Sequence, residues 1–297
     1  MGRDVHSSSQ AARTVLERAN AALGYDLAAM CFEGPAEKLE RTDIQQPAIL
    51  VVSVALWEAM REAGATLDSF VLAAGLSLGE YTALHVAGAL GFEDAVRLVA
   101  LRGKLMQEAA VAAPSGMVSL VGADEAAATA LCDAVRQSEV LAPANYNCPG
   151  QIVISGHKSA CQRAVTHAET MGLRAIPLPV AGAFHSPLMQ SAADALGAAL
   201  EKVNFGALKL PVIANVDAEY HRDAASIRRS LRKQVTHPVL WQKGVERMIA
   251  EGVDRFVEVG PGRVLTGLMR KINRKVDAVN VSTAESIATA MATPTGT

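Results

Sequence analysis

"VLAAGLSLGEYTALHVAGAL", residues 71–90, is the stretch whose reading decides the fold. The apolar run 70–74 reads as a strand, and the run from Ser77 to about Ala89 reads as a helix. Between them, Gly75-Leu76-Ser77-Leu78-Gly79 is a G-x-S-x-G turn. Glycines two residues to either side of a serine permit a strained strand-to-helix elbow that exposes the hydroxyl. The N–H of Leu78 and the positive end of the helix then face a developing oxyanion. The same residues carry a second reading. Ser77-x-x-Glu80 is also a capping box, in which Ser77 only caps a helix.

Outward from this turn the chain alternates helical and extended patterns. Helices are expected at 9–23, 47–63 and 93–110, and a strand at 211–216. Further helices are expected at 225–236 and 238–251, followed by strand 255–260, helix 262–272 and strand 276–282. Strands separated by helices point to an α/β fold with a parallel sheet. The middle of the chain differs. Residues 115–182 read as β-α-β-β-α-β, with a Pro149-Gly150 turn between the middle strands and Gly172 closing the second helix. They are read as an inserted small domain. Residues 291–297 read as a loose tail.

Composition narrows the function. Half of the 297 residues are hydrophobic, which supports a sizeable core. A net charge of -2 gives no hint of nucleic-acid binding. Four cysteines without C-x-x-C spacing support neither zinc nor a redox motif, and a cytosol-like compartment is expected. The longest apolar stretch, 47–60, is shorter than the roughly 20 residues of a membrane span. The first 20 residues lack the apolar core of a signal peptide.

A serine nucleophile needs a base. Among seven histidines, His85 lies two helical turns beyond Ser77, about 12 Å along the axis, too far to serve it. His185 follows a glycine in "VAGAFHSPLM", and Ser186 and Pro187 after it read as an N-cap and first helical residue. A histidine on such a loop either aims into a cleft or bonds the local backbone. Acids between Ser77 and His185, such as Asp133 and Glu169, fall on helices of the inserted unit, which counts against a serine hydrolase. A backbone carbonyl, or an amide such as Asn145 or Asn147, is left to orient His185. Arg102 has Leu98, Val99, Leu105 and Met106 as same-face neighbours. A guanidinium on a buried face needs an anion. It reads either as a clamp for a substrate carboxylate or as a structural ion pair. The basic run Arg228, Arg229, Arg232, Lys233 reads as a solvated helix face, or as a surface for an acidic protein.

Five motifs, "GLSLGEYTAL", "LRGKLMQEA", "NYNCPGQIVISG", "GAFHSPLM" and "VEVGPGRVLTGLM", run in this order along nearly the whole chain. Together they resemble the malonyl-CoA:acyl carrier protein transacylase family of fatty-acid synthesis, whose fold also serves as the acyltransferase domain of polyketide synthases. The resemblance implies an α/β-hydrolase-like large subdomain with a parallel sheet, residues 1–114 and 183–297, and an inserted ferredoxin-like small subdomain, residues 115–182. It implies Ser77 as nucleophile, His185 as base and then acid, and Arg102 as partner of the malonyl carboxylate. Leu78 supplies an oxyanion N–H in this scheme, and Phe184 matches the malonyl-selective form of its segment. Met117 lies in the acyl-pocket pattern, and Asn145 and Asn147 complete the substrate-binding candidates. Malonyl-CoA is then the substrate and acyl carrier protein the partner. No cofactor, metal, nucleic acid or membrane is implied, and a cytoplasmic monomer is expected. The alternatives are an acyltransferase acting in trans for a polyketide pathway and an N-terminally shortened, inactive paralogue.

Three positions depart from the family pattern. Leu76 stands where most members have histidine. Leu240 stands where some have glutamine, at a position whose backbone carbonyl is expected to orient His185. The chain opens at "MGRDVHSSSQAARTV", which aligns just after the family's first strand and its "FPGQGSQ"-like loop. That loop is expected to supply a second oxyanion donor, and losing one such donor costs about 10² to 10³ in rate.

Overall fold

The computed structural model describes residues 1–292. Met291 and Ala292 end the helix Ala284–Ala292, and the rest of the expected tail, 293–297, lies outside the described residues. The fold is α/β. Six strands occur among the described residues: β1 (Ser115–Val121), β2 (Leu141–Cys148), β3 (Gln151–His157), β4 (Arg174–Pro177), β5 (Arg255–Val259) and β6 (Asp277–Val281). Two compact units form. The first holds residues 1–103, 204–213 and the chain from Ile249; the second holds residues 104–203 and 214–248.

The spine of the first unit is the helix Thr42–Glu62. Residues 50–57 are buried without a break, so no face is left to water over two turns. The helix starts five residues before the expected Pro47. Proline lacks an N–H and loses one helical bond, yet this close to the N-terminus the helix tolerates the loss. The extra turn carries Gln46. Gly103, on the long helix Phe92–Ala112, crosses this turn: a Cβ there would lie 2.5 Å from the Thr42 carbonyl oxygen and 2.9 Å from the Asp43 Cα. Only a glycine allows the two backbones this close.

Parallel pairing appears where the α/β alternation placed it, in β5 with β6 across the helix Val264–Ile272. The expected strands 70–74 and 211–216 are shorter than the sequence suggested. Each contracts to a single parallel bridge, Ala73 with Val212, closed by Ala73 N–H to Pro211 O at 2.9 Å. One bridge fixes the direction of the chain entering the Ser77 turn without building a ladder.

The second unit contains the β-α-β-β-α-β order. Its antiparallel sheet runs β2-β3-β1-β4. Alternation along the strands sorts the faces. Val118, Leu120, Ile152 and Ile154 point into one core with Leu131, Cys132 and Ala164 from the helices Glu125–Val135 and Lys158–Ala168. Met117 and Val153 point the other way, into a smaller cluster with Ala144, Leu178 and Phe184. The unit reaches beyond 115–182, since residues 104–114, 183–203 and 214–248 also belong to it.

Candidate active site

Ser77 lies in a tight turn, with φ at +51°, and the helix Gly79–Val86 begins two residues later. A non-glycine residue in this region is held there by its surroundings at a cost of about 1 kcal/mol or more. The glycines explain how. A Cβ on Gly75 would lie 2.0 Å from the backbone C and O of Gly79, so the turn closes on itself only without a side chain there. The cap reading is not what forms: Leu78 is the N-cap and the helix has no side-chain cap bond. As N-cap, Leu78 has an N–H with no intrahelical acceptor.

The turn presents Ser77 to Arg102. Arg102 is 1% exposed, and its Nη2 donates to Ser77 Oγ at 2.9 Å. Nη1 donates to Gln46 Oε1 at 2.6 Å. The guanidinium also lies 5.6 Å from the centre of the Tyr81 ring. Burial lowers the Arg102 pKa from its ordinary value, and Tyr81 and the buried Glu80 act in the opposite direction. Burial likewise raises the Tyr81 phenol well above its ordinary range. Arg102 therefore has an internal acid nearby, as the structural alternative required. It also holds one arm of its fork at the serine, as the clamp alternative required. Gln46 was missed from sequence. Its signal was a polar side chain, 7% exposed, at the head of an otherwise apolar helix.

In the second unit, His185 is 5% exposed with φ at +58°. Its Nδ1 lies 2.7 Å from the carbonyl oxygen of Gln234. A carbonyl has no proton to give, so Nδ1 carries the hydrogen and Nε2 keeps its lone pair. Gln234 is the last residue of the helix Ala224–Gln234, where carbonyls lack intrahelical partners. The orienting carbonyl is thus that of Gln234, where the sequence pointed to Leu240. Asn145 and Asn147 lie on β2, and the Nδ1 bond goes to neither amide. Asn145 forms a parallel bridge with Val239. Met117 and Phe184 meet in the apolar cluster beside this loop.

The basic run is partly spent inside its own unit. Arg228 donates to the carbonyls of Leu200 and Val203 at 3.1 and 2.7 Å, and Arg232 pairs with Asp194 at 2.7 Å. Arg229 and Lys233 remain exposed. A cavity of about 530 Å³ lined by Trp57, Arg61, His85 and Lys209 includes none of the candidate residues. Among the described residues, no three His, Cys, Asp or Glu side chains gather as metal ligands, and no helix is long and apolar enough to cross a membrane.

Residues 1–293 match the acyl transferase domain family. A malonyl CoA-acyl carrier protein transacylase of Salmonella typhimurium is 47% identical over 265 residues, which is 89% of this chain and 84% of that protein. The solved malonyl CoA-acyl carrier protein transacylase of Coxiella burnetii superposes with a TM-score of 0.95 at 38% identity, covering 98% of this chain and 92% of that one. A malonyl-transacylase solved in complex with its type II PKS acyl-carrier protein gives 0.94 at 41% identity, covering 98% and 94%. With a match over nearly its whole length, the chain belongs to the acyl transferase domain family.

Proposed function

We propose that this chain moves a malonyl group from malonyl-CoA to the phosphopantetheine thiol of acyl carrier protein, in fatty-acid synthesis, through an ester on Ser77. The observation that carries the proposal is the Arg102 fork, buried, held by Gln46 and 2.9 Å from the Ser77 hydroxyl. A fixed cation beside the acylated atom selects an acyl group that ends in a carboxylate. A simple esterase has no use for it.

In the first half-reaction Ser77 Oγ attacks the thioester carbonyl and passes its proton to His185 Nε2. The Leu78 N–H steadies the oxyanion. The carbon–sulfur bond breaks, and the CoA sulfur leaves with the proton from His185. In the second half, the carrier thiol gives its proton to His185, and its sulfur attacks the ester. Ser77 Oγ leaves and regains the proton. The Gln234 carbonyl does the work of the absent triad acid, fixing the tautomer. Met117, Phe184, Asn145 and Asn147 are assigned to substrate binding, with Phe184 favouring the malonyl group. The scheme uses no cofactor and no metal. The chain is proposed to act as a cytoplasmic monomer. The fold assigned with it is an α/β-hydrolase-like large subdomain, 1–114 and 183–297, with a ferredoxin-like small one, 115–182, inserted in its sequence; the β2-β3-β1-β4 order supports the latter. A polyketide pathway is the second reading, favoured by the likeness to the malonyl-transacylase bound to a type II PKS acyl-carrier protein.

The test is intact-protein mass spectrometry after mixing with malonyl-CoA. A gain of one malonyl group in the wild type, absent from Ser77→Ala, is expected. An adduct that persists in Ser77→Ala refutes the nucleophile. No adduct in folded wild-type protein refutes the activity. Competing fatty-acid and polyketide carrier proteins then separates the two pathways.

A further inference from the structure

We infer that Ser155, a strand hydroxyl outside the reacting groups, is a positioning residue that fixes where His185 points. The inference rests on the reading of His185 as the base. β3 alternates between faces: Ile152 and Ile154 enter the large core, while Val153 and Ser155 point to the other side. Ser155 is fully buried at 0% exposure. A hydroxyl there has no water to satisfy it and must find an acceptor. It donates to the carbonyl oxygen of Phe184 at 2.7 Å, the peptide that leads directly into His185.

The neighbouring contacts hold the rest of the loop. Ser115, two residues from Met117 on β1 and so on the same face as Ser155, accepts from Ala183 N–H at 3.1 Å. Ser186 donates to the Ala183 carbonyl at 2.6 Å. The Phe184 ring packs in the cluster with Met117 and Val153. His185 thus sits between anchored residues, in a left-handed conformation that an unanchored loop would relax. The Nδ1 bond to Gln234 restrains the rotation of the ring. Of the two strand anchors, only Ser155 holds the peptide adjoining His185, so its loss lets that peptide turn and carry Nε2 with it.

The test measures the rate of malonyl-Ser77 formation in Ser155→Ala and Ser155→Cys, each alone and combined with His185→Ala. Cysteine fills the serine's space but donates weakly, so it serves if the alanine variant folds poorly. Misplacing a reacting group by 1 Å costs about 10²-fold. A fall of about tenfold or more is expected in both single variants, with the KM for malonyl-CoA within about twofold of wild type. In the His185→Ala background neither substitution lowers the rate further. An unchanged rate in the single variants, or an equal fractional fall in both backgrounds, overturns the inference. A wild-type rate in His185→Ala alone overturns instead the base assignment beneath it.

Discussion

Replacing Arg102 with alanine tests the selection of a carboxylate directly. Nη2 stands 2.9 Å from Ser77 Oγ, the atom proposed to carry the acyl group. The malonyl carboxylate is one methylene beyond the ester carbonyl, within reach of that fork. A hydrogen bond to a charged group contributes about 1.5–3 kcal/mol. Two from one guanidinium give about 3–6 kcal/mol, or roughly 10²- to 10⁴-fold in kcat/KM for malonyl-CoA. Acetyl-CoA has no carboxylate and loses none of this. Arg102→Ala also leaves the buried Glu80 without the cation beside it, and breaking a buried pair costs about 3–5 kcal/mol of stability. The assay is therefore the ratio of acylation by malonyl-CoA to that by acetyl-CoA in one sample, from which the folded fraction cancels. Arg102→Ala/Glu80→Gln, which removes both charges, supplies a more stable second sample. The ratio is expected to fall at least 100-fold in both. A ratio within about threefold of wild type would refute the reasoning and leave Arg102 a structural ion.

Gly75→Ala places a Cβ 2.0 Å from the Gly79 backbone, where no side chain can move aside. A loss of about 3 kcal/mol or more in urea unfolding is expected, with loss of the malonyl adduct; an unaltered midpoint would show that the turn is not closed as described. His85 is held below its ordinary pKa of 6.5, chiefly by burial. The unfolded chain therefore takes up the proton first, so this contribution to stability is present above pH 6.5 and is lost as pH falls below it. His85→Gln should reduce the slope of stability against pH just below 6.5, by up to about 1.4 kcal/mol per pH unit. Equal slopes in the two proteins would remove His85 from the account.

Periodicity located most elements because their burial repeats with the backbone. The β-α-β-β-α-β order within 115–182 was legible, since its helices carry cap or stop signals, Asp124 and Gly172 among them, although the last strand is only Arg174–Pro177. Legibility failed where tertiary contact decides. Apolar runs at 70–74 and 211–216 read as strands, but pairing sets the length of a strand, and here each finds one bridge. The start of the helix at Thr42 was hidden by Pro47, which as a helix signal marks a first turn. The partner of His185 was out of reach for a different reason. It is a main-chain carbonyl, that of Gln234, and carbonyls are the same in every residue.

Arg102 shows how one local signal can hide another. The pattern Ser77-x-x-Glu80 was legible as a capping box, yet its spacing says something further. Residues 80 and 81 open the helix Gly79–Val86 that follows directly on the Ser77 turn. All three act on the same cation. Ser77 accepts its hydrogen bond, Glu80 supplies opposite charge from a fully buried position, and the Tyr81 ring lies 5.6 Å from the guanidinium. Gln46 closes the remaining side, brought there by the crossing at Gly103. A buried arginine loses several kcal/mol of hydration, and Glu80 offsets that loss from within the elbow. One arm is thereby left beside Ser77, where an incoming carboxylate can replace the hydroxyl as its acceptor. On the proposed reading the selecting charge is thus held from the helix that follows the nucleophile turn, so a change at Glu80 or Tyr81 is expected to act on substrate choice through Arg102.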